Sequence, residues 1–259
     1  MQDFIDTHSH LYDEAFAGEE DAAVERAVAA GVSKMIAADI SSATREAMFA
    51  LADRHPGIVF PTLGLHPTET DTSYGAELEK IESILSGKER IIRAIGEVGL
   101  DFYWSREFVK EQKDAFRKQL EYARRLDLPV IIHSREATEA IFDILDECNG
   151  KELRGVFHAF SGSIETYRRI EKYGNWYVGI GGVLTFKKAS IAETVKNIPL
   201  DHIILETDCP YLTPAPHRGE RNESGYLPFI AEKLAIQKGV NISEVAETTT
   251  NNARQLFGI

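Results

Sequence analysis

Six side chains able to bind a metal ion stand at or just beyond the ends of short apolar runs: His8, His10, Glu97, His133, His158 and Asp208. His8-Ser9-His10 spaces two imidazoles by two residues, and on a strand that spacing turns both to one side, where they can share a cation. Glu97 follows Ile95-Gly96 in an apolar setting. A carboxylate there is costly unless it is paired or binds metal, and its two oxygens can bridge two cations roughly 3.5–4 Å apart. His133 follows Val130-Ile131-Ile132 and His158 follows Gly155-Val156-Phe157, each the first polar side chain after its run. Asp208, near the end of a run that begins at Ile203, joins the His8–His10 pair at the first cation and can accept a proton from an attacking water. This set is the equipment of metal-assisted hydrolysis, with Asp208 and Glu97 as its catalytic carboxylates.

Each residue also has a plainer reading. A lone histidine after an apolar run is ordinarily a satisfied core residue, and Glu97 could pair with Arg93 or Arg135. Asp6 either orients a histidine ring or is a buried carboxylate, and Glu206 serves as a support rather than a ligand. Cys209 as a thiol nucleophile lacks a dedicated base. Position argues for the site, since scattered histidines would not respect strand ends.

Those ends belong to about eight short runs: Asp3–His8, Lys34–Ala38, Ile58–Leu63, Ile91–Gly96, Pro129–His133, Gly155–His158, Trp176–Ile180 and Ile203–Glu206. Segments of helical periodicity lie between them, at Ala22–Ala30, Thr44–Arg54 and most clearly Glu107–Leu126, where Val109, Phe116, Leu120 and Ala123 share a face. Continuous apolar strands alternating with amphipathic helices predict parallel strands covered by helices. The expected fold is α/β, a single TIM (β/α)8 barrel spanning residues 1–259 as one domain, close to the roughly 250 residues usual for that architecture. In such a barrel the C-terminal strand ends converge on one face, which brings the six residues together. An open doubly wound sheet is the alternative. The first strand runs into Asp6-Thr7-His8 without a G-x-G-x-x-G turn, and Gly179-Ile180-Gly181-Gly182 lacks the third glycine of that motif.

The balance of 29 basic against 41 acidic residues gives a net charge of −12, which disfavours sliding along duplex DNA. Two dications would nonetheless outweigh Glu97 and Asp208 and make the site locally positive. That combination favours small phosphoesters or the accessible end of a single strand. Two cysteines, Cys148 and Cys209, form no disulfide framework. With no signal-peptide pattern at the N-terminus and no long apolar run, a cytoplasmic protein without membrane contact or an obligate protein partner is expected.

The motifs Asp6-Thr7-His8-Ser9-His10-Leu11, Gly64-Leu65-His66-Pro67, Gly96-Glu97-Val98-Gly99-Leu100-Asp101 and Ile132-His133-Ser134-Arg135 resemble those of the TatD-type metal-dependent deoxyribonucleases. So do His158-Ala159-Phe160-Ser161-Gly162, Glu206-Thr207-Asp208-Cys209-Pro210-Tyr211-Leu212, Arg218-Gly219, Arg221-Asn222 and Asn252-Ala253-Arg254-Gln255-Leu256-Phe257. The resemblance implies an amidohydrolase-like barrel in which His8, His10 and Asp208 hold one cation, His133 and His158 the other, and Glu97 bridges them. It further implies 3′→5′ exonuclease action on DNA, preferring single strands. One departure is Ala159, where family members often carry Cys; it is not a ligand position.

Substrate contacts are expected from His66, Arg135 and Arg221, with Arg135 suited to clamping a phosphate by its planar fork. His217, Arg218 and Asn222 lie on the same loop as Arg221. Tyr103 and Trp104 could stack on bases or simply pack at the barrel mouth. Two divalent ions are expected, with Mg2+, Mn2+ and Zn2+ all compatible with mixed imidazole and carboxylate ligation. Two rivals keep the site: an esterase or cyclic-amide hydrolase, for example one deacylating aminoacyl-tRNA, and a non-catalytic metal-binding barrel.

Overall fold

The computed structural model describes residues 2–87 and 92–259. Strands β1 (Phe4–Ser9), β2 (Val32–Ala37) and β3 (Val59–Pro61) pair in parallel in chain order. A second parallel arc follows in the same order: β4 (Ile95–Asp101), β5 (Val130–Arg135), β6 (Gly155–Phe157), β7 (Trp176–Ile180) and β8 (Ile203–Leu205). The arcs meet at both edges. Leu63 bridges to Ile95 and Ser9 to Cys209, with Gly96 N–H donating to Leu63 O at 3.0 Å and Asp208 N–H to His8 O at 2.9 Å. An open sheet would leave those edges unpaired. The sheet is closed, and the fold is the expected α/β barrel.

Helices α1 (Glu20–Ala29), α2 (Arg45–Arg54), α3 (Tyr74–Ser86), α4 (Val109–Leu126) and α5 (Thr138–Glu147) lie between the strands. They are followed by α6 (Ile164–Glu171), the short α7 (Ile191–Thr194), α8 (Leu227–Lys238) and α9 (Ile242–Phe257). Of the expected α4 face, Phe116, Leu120 and Ala123 are buried, while Val109 at the start of the helix is half-buried. This helix stops at Asp127, whose left-handed backbone (φ 52°) lets its N–H return to Ala123 O. No described helix is long and apolar enough to cross a membrane.

Inside the barrel, Ile5, Ile36, Phe60, Ala94, Ile131, Val156, Tyr177 and Ile204 pack together, one from each strand or its lead-in, and Ala253, Leu256 and Phe257 of α9 pack with them. This apolar layer lies on the N-terminal side of the histidines, so the polar residues that follow it gather at the opposite mouth.

Strand boundaries depart from expectation chiefly at β4. Ile91, the first residue of the expected fourth strand, lies outside the described residues, and the strand itself runs from Ile95 to Asp101. Glu97 is therefore inside the strand rather than at its end. Val98 and Leu100 alternate with Glu97, Gly99 and Asp101, so a pattern of period two continues past the point where the apolar run breaks.

Candidate metal centre

His8 is the penultimate residue of β1 and His10 follows the strand, and both rings turn inward: their Nε2 atoms are 3.1 Å apart. Strict alternation would put Ile5 and His8 on opposite faces of β1, yet both face the interior. The pairing register of β1 with β2 shifts between Asp6 and Ser9, and that shift reverses which parity points in. The same happens in β4, where Ala94 and Glu97 both face inward across a shift between Ile95 and Val98. β5 and β6 keep strict period two, with His133 following Ile131 and His158 following Val156, whereas Glu206 and Asp208 lie beyond the end of β8 and Asp208 has a left-handed backbone (φ 57°).

Glu97 is the centre of the group and is buried. Its Oε2 lies 3.1 Å from His8 Nε2 and 3.8 Å from His10 Nε2. Its Oε1 lies 2.7 Å from His133 Nδ1, 3.3 Å from His66 Nε2 and 3.7 Å from His158 Nε2. Asp208 Oδ1 is 3.7 Å from His8 Nε2, 3.6 Å from His10 Nε2 and 3.7 Å from His158 Nε2. All six expected metal residues are thus brought together. The alternative partners of Glu97 are engaged elsewhere: Arg93 donates to Gly258 O, and Arg135 stacks on Tyr103. Among the described residues, three groups present ligand atoms close enough to share a cation: His8 with His10 and Glu97, His66 with Glu97 and His133, and His8 with His158 and Glu206.

The rings are set by their far sides. His10 Nδ1 lies 3.1 Å from Ala38 O, a pure acceptor, so that nitrogen carries the proton and Nε2 keeps its lone pair for the centre. The Tyr12 hydroxyl donates to the same carbonyl. His133 Nε2 faces Asp101 Oδ2 at 2.9 Å. His158 Nδ1 lies 3.1 Å from Glu206 Oε1, close enough for ion pairing though out of line for a hydrogen bond. His8 and His158 stack with ring centroids 3.6 Å apart, and His8 Nδ1 is buried without a hydrogen-bond partner.

Electrostatics follow from this crowding. Burial would raise the Glu97 carboxyl, but the imidazoles of His66, His8 and His158 outweigh it and hold the group well below the usual range. Asp208 is likewise lowered: burial opposes, while His158 and His10 prevail. Burial pulls His158 down, yet Glu206, Asp208 and Glu97 carry it up to about 10. His133 rises to about 9 against its burial because Asp101 and Glu97 flank the ring. Burial lowers His8 and His66. A divalent cation would supply positive charge to the same carboxylates.

Asp101, Tyr12 and Asp39 are site supports that strand-end reasoning passes over. Asp101 was legible in principle, since it shares the inward parity of Glu97 four residues on. Asp39 takes Arg45 Nε at 2.7 Å and Gly64 N–H at 3.1 Å, and its carbonyl accepts Glu97 N–H at 2.9 Å. Burial raises its carboxyl to about 6. Asp6 orients no ring. It accepts hydrogen bonds from Thr207 N–H, the Thr207 and Ser224 hydroxyls and His8 N–H, and so ties β1 to the chain after β8.

Of the expected substrate contacts, His66 reaches the cluster. Arg135 is exposed at the mouth, its guanidinium 3.8 Å from the Tyr103 ring centroid. Arg221 is directed elsewhere: it donates to Ala15 O at 2.6 Å and Glu19 at 2.8 Å and covers the Phe16 ring. Arg218 stacks on Phe186, His217 stacks on Tyr226, and Asn222 donates to Thr207 O. Cys209 is buried beside Ser224, its thiol pushed up to about 12 by burial, which removes it as a nucleophile.

The family model for TatD-related DNases matches residues 5–258. A metal-dependent hydrolase of Bacillus subtilis, YabD, is 38% identical over 256 residues, covering 98% of this chain and 99% of its own. A protein of Erwinia tasmaniensis named 3′-5′ ssDNA/RNA exonuclease TatD is 32% identical over 261 residues, covering 98% of this chain and all of its own. The crystal structure of YjjV, a TatD homologue from Escherichia coli, superposes with a TM-score of 0.91 at 30% identity, covering 99% of this chain and 98% of that one. With the geometry above, these likenesses mean that the chain belongs to the TatD-related DNase family and is a metal-dependent hydrolase acting on ester bonds.

Proposed function

We propose that the chain is a two-cation phosphodiesterase that shortens single-stranded DNA from its 3′ end. The observation that carries this reading is the division of Glu97. One oxygen faces His8 and His10, the other faces His133, His66 and His158. Ligand atoms about 2.0–2.2 Å from a common cation must lie roughly 3–3.5 Å from one another, and the separations here bracket that range. The donor set fits a pair of divalent cations, with His8, His10 and Asp208 for one, His133 and His158 for the other, and Glu97 between. Mixed nitrogen and oxygen ligation suits Zn2+ or Mn2+, and Mg2+ where water completes the shell.

When bound, the cations supply positive charge that polarises the phosphoryl group and acidifies water at the site. Asp208, partly open to solvent at the mouth, takes the proton from the attacking water. His66 then binds a phosphate oxygen. Its Nδ1 accepts Thr68 N–H at 3.2 Å, so in the neutral ring that burial favours the proton sits on Nε2, ready to donate. Arg135 at the rim meets the next phosphate. The action is placed in the cytoplasm, in keeping with two unpaired cysteines.

End-labelled single-stranded DNA incubated with the metal-supplemented protein tests the reading. The expected result is a ladder shortening from the 3′ end, abolished by Glu97→Ala and Asp208→Asn in proteins that remain folded by circular dichroism. Turnover by either variant at the wild-type rate and equal metal content would overturn the assigned site. Failure of the wild type to cleave with Mg2+, Mn2+ or Zn2+ would overturn the activity.

A further inference from the structure

Six large hydrophobic residues are markedly exposed among the described residues, and three of them are aromatic: Tyr103 (52%), Trp104 (68%) and Tyr211 (57%). The aliphatic three lie on or at the end of helices: Val28 in α1, Leu126 in α4 and Ile236 in α8. The aromatic three all lie on loops at the mouth of the metal centre, Tyr103 and Trp104 after β4 and Tyr211 after β8. In a closed barrel of eight strands in chain order, β4 and β8 are four strands apart in either direction, so the two loops face each other across the mouth. Packing does not account for this exposure.

The β4 side is built rather than loose. The backbone N–H groups of Tyr103 and Trp104 both donate to Asp101 Oδ1, at 2.9 and 3.1 Å, while Asp101 Oδ2 holds His133. One carboxylate thus fixes the aromatic pair and a ring of the metal centre together. Arg135 lies over Tyr103 at 3.8 Å and 5.2 Å from the Trp104 centroid, placing a guanidinium beside the indole. On the β8 side, Tyr211 N–H donates to Asp208 O at 2.9 Å. Each aromatic group is therefore tied directly to a residue of the centre.

Resting on the phosphodiesterase reading, we propose that Trp104, propped by Tyr103 and Arg135, and Tyr211 form two base-stacking platforms on opposite sides of the centre. They receive unpaired bases of a nucleic-acid strand laid across the mouth. Aromatic faces accept any base, and a paired base cannot present its face, so the platforms select single strands without reading sequence. The cation of Arg135 meets the backbone beside the stacked base, in a protein too acidic to hold a duplex along its surface.

Fluorescence provides the test, because the other tryptophan, Trp176, is buried and Trp104 alone is open to solvent. The probe is a phosphorothioate octathymidylate added to the Mn2+-loaded protein, with an abasic strand of equal length and a duplex as comparisons. The octathymidylate should quench the emission and bind about ten-fold or more tighter than the abasic strand or the duplex. Read by the anisotropy of 5′-fluorescein-labelled strands, since the Trp104 variants lose the emission, Trp104→Ala and Tyr211→Ala should each reduce that preference several-fold, with Trp104→Phe restoring most of it. Equal affinity for the normal and abasic strands, or variants with undiminished preference, would overturn the platforms. Cleavage of bis(4-nitrophenyl) phosphate, a diester without bases, is measured in parallel on the wild type. If that diester is cleaved while the platforms fail, the parent reading survives; if no diester is cleaved, the parent reading falls on its own account.

Discussion

Asp101 Oδ2 lies 2.9 Å from His133 Nε2, on the side of the ring turned away from Glu97. A histidine whose outer nitrogen donates to a carboxylate has its tautomer fixed and its inner nitrogen made more basic. Asp101→Ala should therefore lower apparent metal affinity about 10–100-fold, with turnover recovered at high metal concentration. Titrating activity against Mn2+ reads this as a shifted midpoint at a preserved plateau. A plateau lost at every concentration would give Asp101 a direct part in the chemistry instead.

Much of this arrangement is legible in the sequence. The strands, their parallel order and the single mouth follow from apolar runs alternating with amphipathic segments. His133 and His158 obey period two from Ile131 and Val156, so their inward direction could be read directly, whereas Asp208 lies past the end of β8 with a left-handed backbone (φ 57°) that no alternation predicts. His8 and Glu97 could not be placed that way. Each stands three residues from an interior apolar residue, and only the register shifts in β1 and β4 bring it inside. Long-range pairing sets such shifts, and local spacing carries no sign of them. For the same reason Asp39 and Tyr12 were invisible: each supports the centre through a main-chain carbonyl.

Metal removal should destabilise the fold as well as stop turnover. An ion bound only by the folded state stabilises it by about 2.7 kcal/mol when present at one hundred times its dissociation constant. For a chain of this size that corresponds to a rise in Tm of roughly 5–10 °C. Thermal unfolding in chelator and then in Mn2+ should show the shift in the wild type and a much smaller one in Glu97→Ala. Equal shifts in both proteins would mean that the stabilising metal binds elsewhere.

Gly179 on β7 keeps space for Glu206. A Cβ there would stand 2.1 Å from Glu206 Oε2 and 2.6 Å from its carboxyl carbon. Glu206 is itself fixed, its Oε1 accepting Ala159 N–H at 2.6 Å and lying 3.1 Å from His158 Nδ1. Gly179→Ala should push the carboxylate off His158, costing about 1–3 kcal/mol of stability and weakening metal binding together. Gly75→Ala, where a Cβ meets nothing within 4 Å, is the control and should be neutral or slightly stabilising. If chemical denaturation shows no difference between the two variants, the crowding argument fails.

Asp6 gives the protein a pH dependence of defined sign. Burial raises its carboxyl from 3.8 to about 7, against the opposing pull of four hydrogen bonds. A carboxyl whose folded pKa exceeds its unfolded value contributes stability that is complete below about pH 4 and is lost as pH rises through about 7. At about 1.4 kcal/mol for each pH unit between those values, the loss is on the order of 4 kcal/mol. Asp6→Asn is suited to test this. The two backbone N–H donors both reach Oδ1, while the Thr207 and Ser224 hydroxyls reach Oδ2 and can rotate to accept from an amide. The variant should keep the fold and lose the titration. With metal removed from both proteins, the Tm difference between wild type and Asp6→Asn should grow by several degrees in the variant's favour from pH 5 to pH 8. A constant difference across that range would mean that Asp6 is already ionised at pH 5 and that its four donors outweigh its burial.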